Sequence, residues 1–358
     1  MARSAYSFAL LLYREGGDRL GQVPIAVDWE PAEEWTRFRA LRRGQLGPTD
    51  LIPAAITPLW SEDLGEPYLR GFRVELEAPG SVLSHDFATT YFKEPARHAS
   101  TRLVEQGRLK EGEKFRYRPI AFLGREDSAP RRLSFTTEEV MPPLPIRTSS
   151  IGRLGAGAVA VGAPHADDLP VYVPQRLLDE TLVLTRGAQD KETGGVLIGH
   201  LHRDPSNAEL FAETTAQIPA RHAAGELTKL TFTSETWSAV QAALDLRRGG
   251  EIMLGWWHSH PSRAWCQKCP PEKQRVCPLA AGFFSEHDCQ LHRTVFPRAY
   301  SVAMVVNDAM NGLSYSMFGW HEGRVTLRGF HVTGVSDTSE LEMARAATGP
   351  DPGERGGD

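Results

Sequence analysis

Cysteine is scarce: the 358 residues include only Cys266, Cys269, Cys277 and Cys289, all within one short segment. A secreted fold stapled by disulfides spreads its cysteines along the chain, so this clustering favours metal ligation in a reducing cytosol. Long apolar runs are also lacking, since no stretch approaches the roughly 20 residues that a membrane helix needs. The apolar run from Ser7 to Tyr13 meets Arg14 and Glu15 with no small-residue cleavage site behind it, and reads as a strand. Positive charge is not in excess, because a formal net charge of -5 and a pI near 6.2 provide no basic face for nucleic acid or an anionic membrane. No Gly-Lys-Ser/Thr step follows Gly152, Gly155, Gly157 and Gly162, and their spacing fits neither the Rossmann nor the P-loop pattern. These absences lead to the expectation of a cytoplasmic protein with neither nucleic acid nor membrane as partner.

What is present fits a globular chain long enough for two cores, at 41% hydrophobic and 24% charged residues. Residues 1–135 read as an α+β unit of unknown role. Phe72, Val74 and Leu76 alternate with charged residues as a half-buried strand requires, Phe115 and Tyr117 continue the pattern, and Trp35, Phe38 and Leu41 recur at helical spacing after Pro31. Residues 136–168 carry Pro142, Pro143 and Pro145 and then the glycines, a linker composition. Residues 169–335 read as strand, helix, strand, strand, helix, strand. Leu178 and Leu182 mark the first helix, ending near Gly187, and Gly194–His200 and Leu210–Ile218 follow as strands. Ser234 is the expected N-cap of a helix carrying Trp237, Val240 and Leu244 and stopped by Gly249 and Gly250. Met253–Trp257 reads as a doubly buried strand, and Ser301–Val306 and Leu313–Gly319 as strands around a turn from Asn307 to Gly312. The tail, 336–358, has the composition of a disordered segment.

His258-Ser259-His260-Pro261 follows the buried strand directly. In extended chain, residues two apart face the same way at roughly 7 Å, so both imidazoles can meet one ion. The pair His200 and His202 has the same spacing without further support, and reads as hydrogen-bonded or solvated strand-end histidines. A third ligand distinguishes the first pair. In Ser285-Glu286-His287-Asp288, a helix starting near Ser285 puts a hydroxyl and a carboxylate on one face, an arrangement that a capping box also produces. Two imidazoles and one carboxylate leave a fourth tetrahedral position for water, as catalytic zinc sites do. Glu192, ahead of Gly194 and Gly195 at the mouth of a buried strand, can take and return the proton.

In this order, Glu192, His258-Ser259-His260-Pro261 and Ser285-Glu286-His287-Asp288 resemble the JAMM motif of the JAB/MPN metalloproteases. The flanks Glu192-Thr193-Gly194-Gly195-Val196-Leu197-Ile198-Gly199 and Leu254-Gly255-Trp256-Trp257 are similar to the family's strands beside its site. The resemblance covers about residues 169–335. It implies an α/β fold with a mixed α+β sheet of the cytidine-deaminase-like JAB/MPN kind, behind a separate small α+β domain. It further implies catalytic Zn2+ on His258, His260 and Asp288, Glu192 as general base and then acid, and Ser285 helping to stabilise the oxyanion.

By the same resemblance the reaction is hydrolysis after the carboxyl-terminal glycine of a ubiquitin-like protein or its conjugates, in a bacterial pathway with E1-like or E2-like enzymes as further partners. The other readings are a non-catalytic MPN scaffold, and a metal-dependent amidase of small peptides or sulfur-carrier adducts. One departure stands out. The stretch 262–284 is much longer than the family's connection and contains Cys266, Cys269 and Cys277. With Cys289, His287 or His292 as fourth ligand these fit a second, structural Zn2+; free thiols and an iron–sulfur cluster are the alternatives.

Overall fold

The computed structural model describes residues 3–4, 6–50, 52–61, 68–78, 80–123, 143–220, 224–226, 229–267, 269–270, 272, 283–309 and 312–335. The tail 336–358, Cys277 and most of the inserted stretch therefore lie outside the described residues. The molecule is mixed α/β and dominated by sheet.

In the first part, β1 (Arg3–Ser4), β2 (Tyr6–Arg14), β3 (Arg19–Ile25), α1 (Glu30–Arg42), β4 (Ala54–Trp60), β5 (Leu69–Ala78), β6 (Ser81–Ala88), α2 (Lys93–Glu105) and β7 (Phe115–Leu123) follow in turn. They make a sheet of order β1-β4-β5-β6 and another of order β3-β2-β7. The alternation at Phe72, Val74 and Leu76 falls in β5, where all three are fully buried. Trp35, Phe38 and Leu41 form the buried face of α1, which has Pro31 in its first turn, where a missing amide donor costs nothing.

The second part holds β8 (Ile146–Thr148), α3 (Ile151–Leu154), β9 (Val159–Val161), β10 (Val171–Pro174), α4 (Gln175–Gly187), β11 (Gly194–Arg203) and β12 (Leu210–Pro219). After the short strands β13 (Ala224–Glu226) and β14 (Lys229–Thr231) come α5 (Ser234–Arg247), β15 (Ile252–His260), α6 (Ser262–Trp265) and α7 (Glu286–Val295), then β16 (Val302–Ala309), β17 (Gly312–His321), β18 (Arg324–Arg328) and β19 (Phe330–Thr333). One ten-stranded sheet runs β18-β17-β16-β15-β11-β12-β10-β19-β9, with β8 on β11.

Three boundaries differ from expectation, each for a local reason. The stretch 136–168 is not linker throughout: Ile146–Thr148 pairs with Leu201–Arg203 and Val159–Val161 with Phe330–Val332, because β-branched residues interrupt its glycines and prolines. The N-cap of α5 is Thr233, whose extended backbone lets its side chain accept the Thr236 amide, while Ser234 is already helical. The turn after β16 is tighter than Asn307–Gly312, since pairing continues to Ala309 and Gly312.

Strand β15 sits centrally, antiparallel to β11 and parallel to β16, and is buried from Leu254 to His260. Its pairing with β11 skips Leu254: Leu197 opposes Gly255 and Ile198 opposes Met253. That bulge re-phases the alternation, so Trp256 joins Val305, Ala303 and Phe296 on one face while Leu254 and Trp257 pack with Met304 and Val306 on the other. Glycine is required where the strands close up: a Cβ on Gly255 would lie 1.7 Å from the Val302 carbonyl oxygen.

The two parts are not packed separately. One hydrophobic cluster takes in Trp35, Phe38 and Phe72 from the first and Val302, Trp320 and Phe330 from the second. Polar contacts follow the seam. Arg42 donates to Glu209 at 2.5 Å, Arg203 to the Leu41 carbonyl at 2.9 Å, and the Ala299 amide to Glu34 at 3.2 Å.

Candidate metal centre

His258 and His260 close β15, and α7 brings Asp288 against them. The two Nε2 atoms are 3.0 Å apart and His258 Nε2 is 3.5 Å from Asp288 Oδ2, with all three residues buried. Ligand bonds of about 2.0–2.1 Å in a tetrahedron give edges of roughly 3.3 Å, so these separations match a shared zinc. The imidazoles are held from their flanks. The Trp256 indole stacks on His258 at 4.7 Å and 15°, Phe283 lies 4.4 Å from the His260 ring, and Trp265 5.6 Å from it. Both Nδ1 atoms are buried without a hydrogen-bond partner, leaving the rings to find their polar interaction at Nε2.

Electrostatics agrees with the donor set. Burial, and then His258, lower the proton affinity of His260, which keeps the ring neutral as a ligand must be. For Asp288 burial alone would raise the carboxyl, but His258 and the hydrogen bonds from Ser285 outweigh it and hold the group ionised. Ser285 and Asp288 form a reciprocal cap: the Asp288 amide donates to Ser285 Oγ at 3.1 Å and the Ser285 amide to Asp288 Oδ2 at 2.8 Å. The cap and the candidate metal ligand are thus one carboxylate, whose orientation the helix start fixes.

Glu192 lies two residues before β11, whose first residue Gly194 opposes His258. It is 8% exposed, and burial raises its carboxyl to about 7, with His258 pulling it down and Asp288 pushing it up. A carboxyl near neutrality beside ligand atoms can hold or release a proton at the working pH. Gly195 lets β12 come close to the start of β11, as a Cβ there would lie 2.5 Å from the Ile218 carbonyl oxygen.

His200 and His202 lie elsewhere on β11, each engaged: Arg147 meets His200 at 2.9 Å and Glu213 meets His202 at 2.9 Å. They are buried and hydrogen-bonded. A second convergent group was not apparent in the sequence, where its members are far apart: His165, Asp168 and His321. Here Asp168 already accepts from His321 at 3.0 Å and sits in the field of buried Arg328, while His165 Nδ1 accepts the Asp167 amide, so charge and hydrogen bonding are balanced without an ion.

The cysteines divide. Cys266 is buried and its carbonyl accepts the Cys269 amide at 2.9 Å, the turn that a Cys-x-x-Cys pair makes. Cys277 lies outside the described residues, and among those described Cys289, one of the expected fourth ligands, forms no group of three with Cys266 and Cys269. It lies on α7 in the field of Glu94 of α2, and burial followed by Glu94 raises its thiol to about 11. His292 is fully buried: its Nδ1 accepts the Trp256 indole N–H at 3.2 Å, its Nε2 has no hydrogen-bond partner among the described residues, and burial pushes it down to about 3. His287 is exposed.

No family model matches the chain, and no curated protein matches it. Among solved structures, the solution structure of protein DSY2949 from Desulfitobacterium hafniense is similar over 47% of this chain and 95% of its own length, at 17% identity and a TM-score of 0.31. No described helix is long and apolar enough to cross a membrane.

Proposed function

We propose that the protein is a zinc-dependent hydrolase of the JAB/MPN kind, cleaving a peptide or isopeptide bond after the terminal glycine of a ubiquitin-like protein. The observation that carries the reading is the convergence of His258, His260 and Asp288, whose ligand atoms all lie within 4.8 Å of one another, with the near-neutral carboxyl of Glu192 beside them. The ubiquitin-like substrate and the JAB/MPN fold rest on the motif resemblance.

His258, His260 and Asp288 would hold the ion. Bound there, zinc would supply Lewis acidity, polarising a substrate carbonyl and acidifying water. Glu192 would take a proton at its carboxylate and return it to the leaving amine, a role suited to a group titrating at about 7. Ser285 Oγ accepts from the Asp288 amide, so its own proton remains for a developing oxyanion. Phe283 and Trp265 keep water from the His260 side of the site.

The test is turnover of zinc-loaded protein on ubiquitin-like fusions ending in glycine. Glu192→Gln is expected to keep its zinc and lose turnover by at least roughly 100-fold. His258→Ala is expected to lose both. Turnover by the Glu192 variant equal to that of the native protein would remove Glu192 from the mechanism, and no cleavage of any such fusion would remove the substrate assignment.

A further inference from the structure

Between the two histidines, Ser259 is completely buried and tied to the segment that carries Glu192. Its backbone amide donates to the Thr193 carbonyl at 2.8 Å, and its hydroxyl oxygen accepts the Thr193 amide at 3.0 Å. Gly194 opposes His258, so Thr193 is the next residue in the antiparallel ladder and Ser259 its partner. In a regular hydrogen-bonded pair the Thr193 amide would donate to the Ser259 carbonyl. Here it donates to the side chain instead, and β11 begins only at Gly194.

We propose that Ser259 is a positioning residue: its hydroxyl diverts the chain out of the ladder at Thr193 and so fixes Glu192 beside the metal ligands. The inference rests on the zinc-hydrolase reading for its catalytic consequence, though the clamp itself does not. The ligand imidazoles have supports of their own. His258 and His260 pair with Val305 and Asn307 of β16, and Trp256, Phe283 and Trp265 pack on their rings. Loss of the Ser259 hydroxyl therefore releases Glu192 and leaves the ligand set in place. A displacement of about 1 Å at a proton-transfer group is enough to cost roughly 100-fold in rate.

Two readouts on the full chain test this, using Ser259→Ala, Ser259→Thr and Ser259→Cys. Amide hydrogen exchange at Thr193 should be slow in the native protein and at least roughly 10-fold faster in Ser259→Ala. With zinc bound, Ser259→Ala should lose roughly 10- to 100-fold in kcat, with KM within about 3-fold and zinc content unchanged. Ser259→Thr, which keeps the hydroxyl, should recover most of kcat. Should its added methyl group prevent folding, Ser259→Cys fills the volume with a weak acceptor and should behave like Ser259→Ala.

Native exchange at Thr193, or native kcat, in Ser259→Ala would overturn the proposal. If no glycine-ended fusion is cleaved by native protein, the reaction reading fails, while amide exchange at Thr193 still decides whether Ser259 holds that segment.

Discussion

At the scale of single residues, Glu192 illustrates how the site trades stability for chemistry. A carboxyl is ordinarily ionised at neutral pH, yet burial raises this one to about 7 from 4.5. Its folded-state affinity for a proton exceeds the unfolded one, so between those values stability falls as pH rises, and above about 7 the penalty is complete. At full value that shift corresponds to about 3 kcal/mol, which screening at the mouth of the site reduces to roughly 1–2 kcal/mol. Metal-free Glu192→Gln is therefore expected to be more stable than native protein by that amount at pH 8 and no more stable at pH 4, measured by urea unfolding. The convergence of His258, His260 and Asp288 was legible in sequence because extended chain imposes a two-residue spacing on one face, and because a capping pattern announced the start of α7. Ser259 was not, since its role depends on a neighbour 66 residues away.

Among elements, α7 carries the most chemistry on the least support from its own length. Its first turn fixes Asp288 through Ser285, and removing that hydroxyl in Ser285→Ala should cost about 1 kcal/mol of stability through the cap, in addition to lowering turnover. Later turns are held by the second part, through Leu291 on the Trp256 cluster and the His292–Trp256 hydrogen bond, and ion pairs with the first part add to that. Arg97 of α2 donates to Glu286 at 2.8 Å and Arg293 pairs with Glu94, contacts that bracket Asp288. Exposed pairs of this kind contribute roughly 0–1 kcal/mol each, but reversing one charge places like charges against the metal helix. Glu94→Arg should weaken zinc binding several-fold in chelator competition, and adding Arg293→Glu should restore it. The bulge at Leu254, which sets the phase of Trp256 and the histidines after it, was marked in the sequence by Gly255 within the apolar run. An apolar run without alternation shows burial but not which face each side chain takes.

For the whole molecule, the sequence suggested two units joined by a linker, and the mixed α/β composition of each was readable from periodicity. Their union was not. The segment 146–148 extends the main sheet through a parallel pairing with β11, and the shared cluster joins Trp35 and Phe38 to residues almost 300 positions later. Long-range pairing of this kind depends on contacts that local pattern does not encode. Because Trp35 is 2% exposed and its ring lies 5.4 Å from His321, Trp35→Ala should destabilise the whole chain by about 3–5 kcal/mol. Calorimetry is expected to show one unfolding transition that moves as a unit; a second transition left unmoved by the substitution would mean that the two parts fold independently.

The most direct test is an anomalous diffraction map collected at the zinc edge from crystals of zinc-loaded protein. The expected result is a peak bounded by His258 Nε2, His260 Nε2 and Asp288 Oδ2. Zinc-loaded crystals with no peak at those three atoms, whatever appears near Cys266 and Cys269, would contradict a metal-dependent reaction at this site.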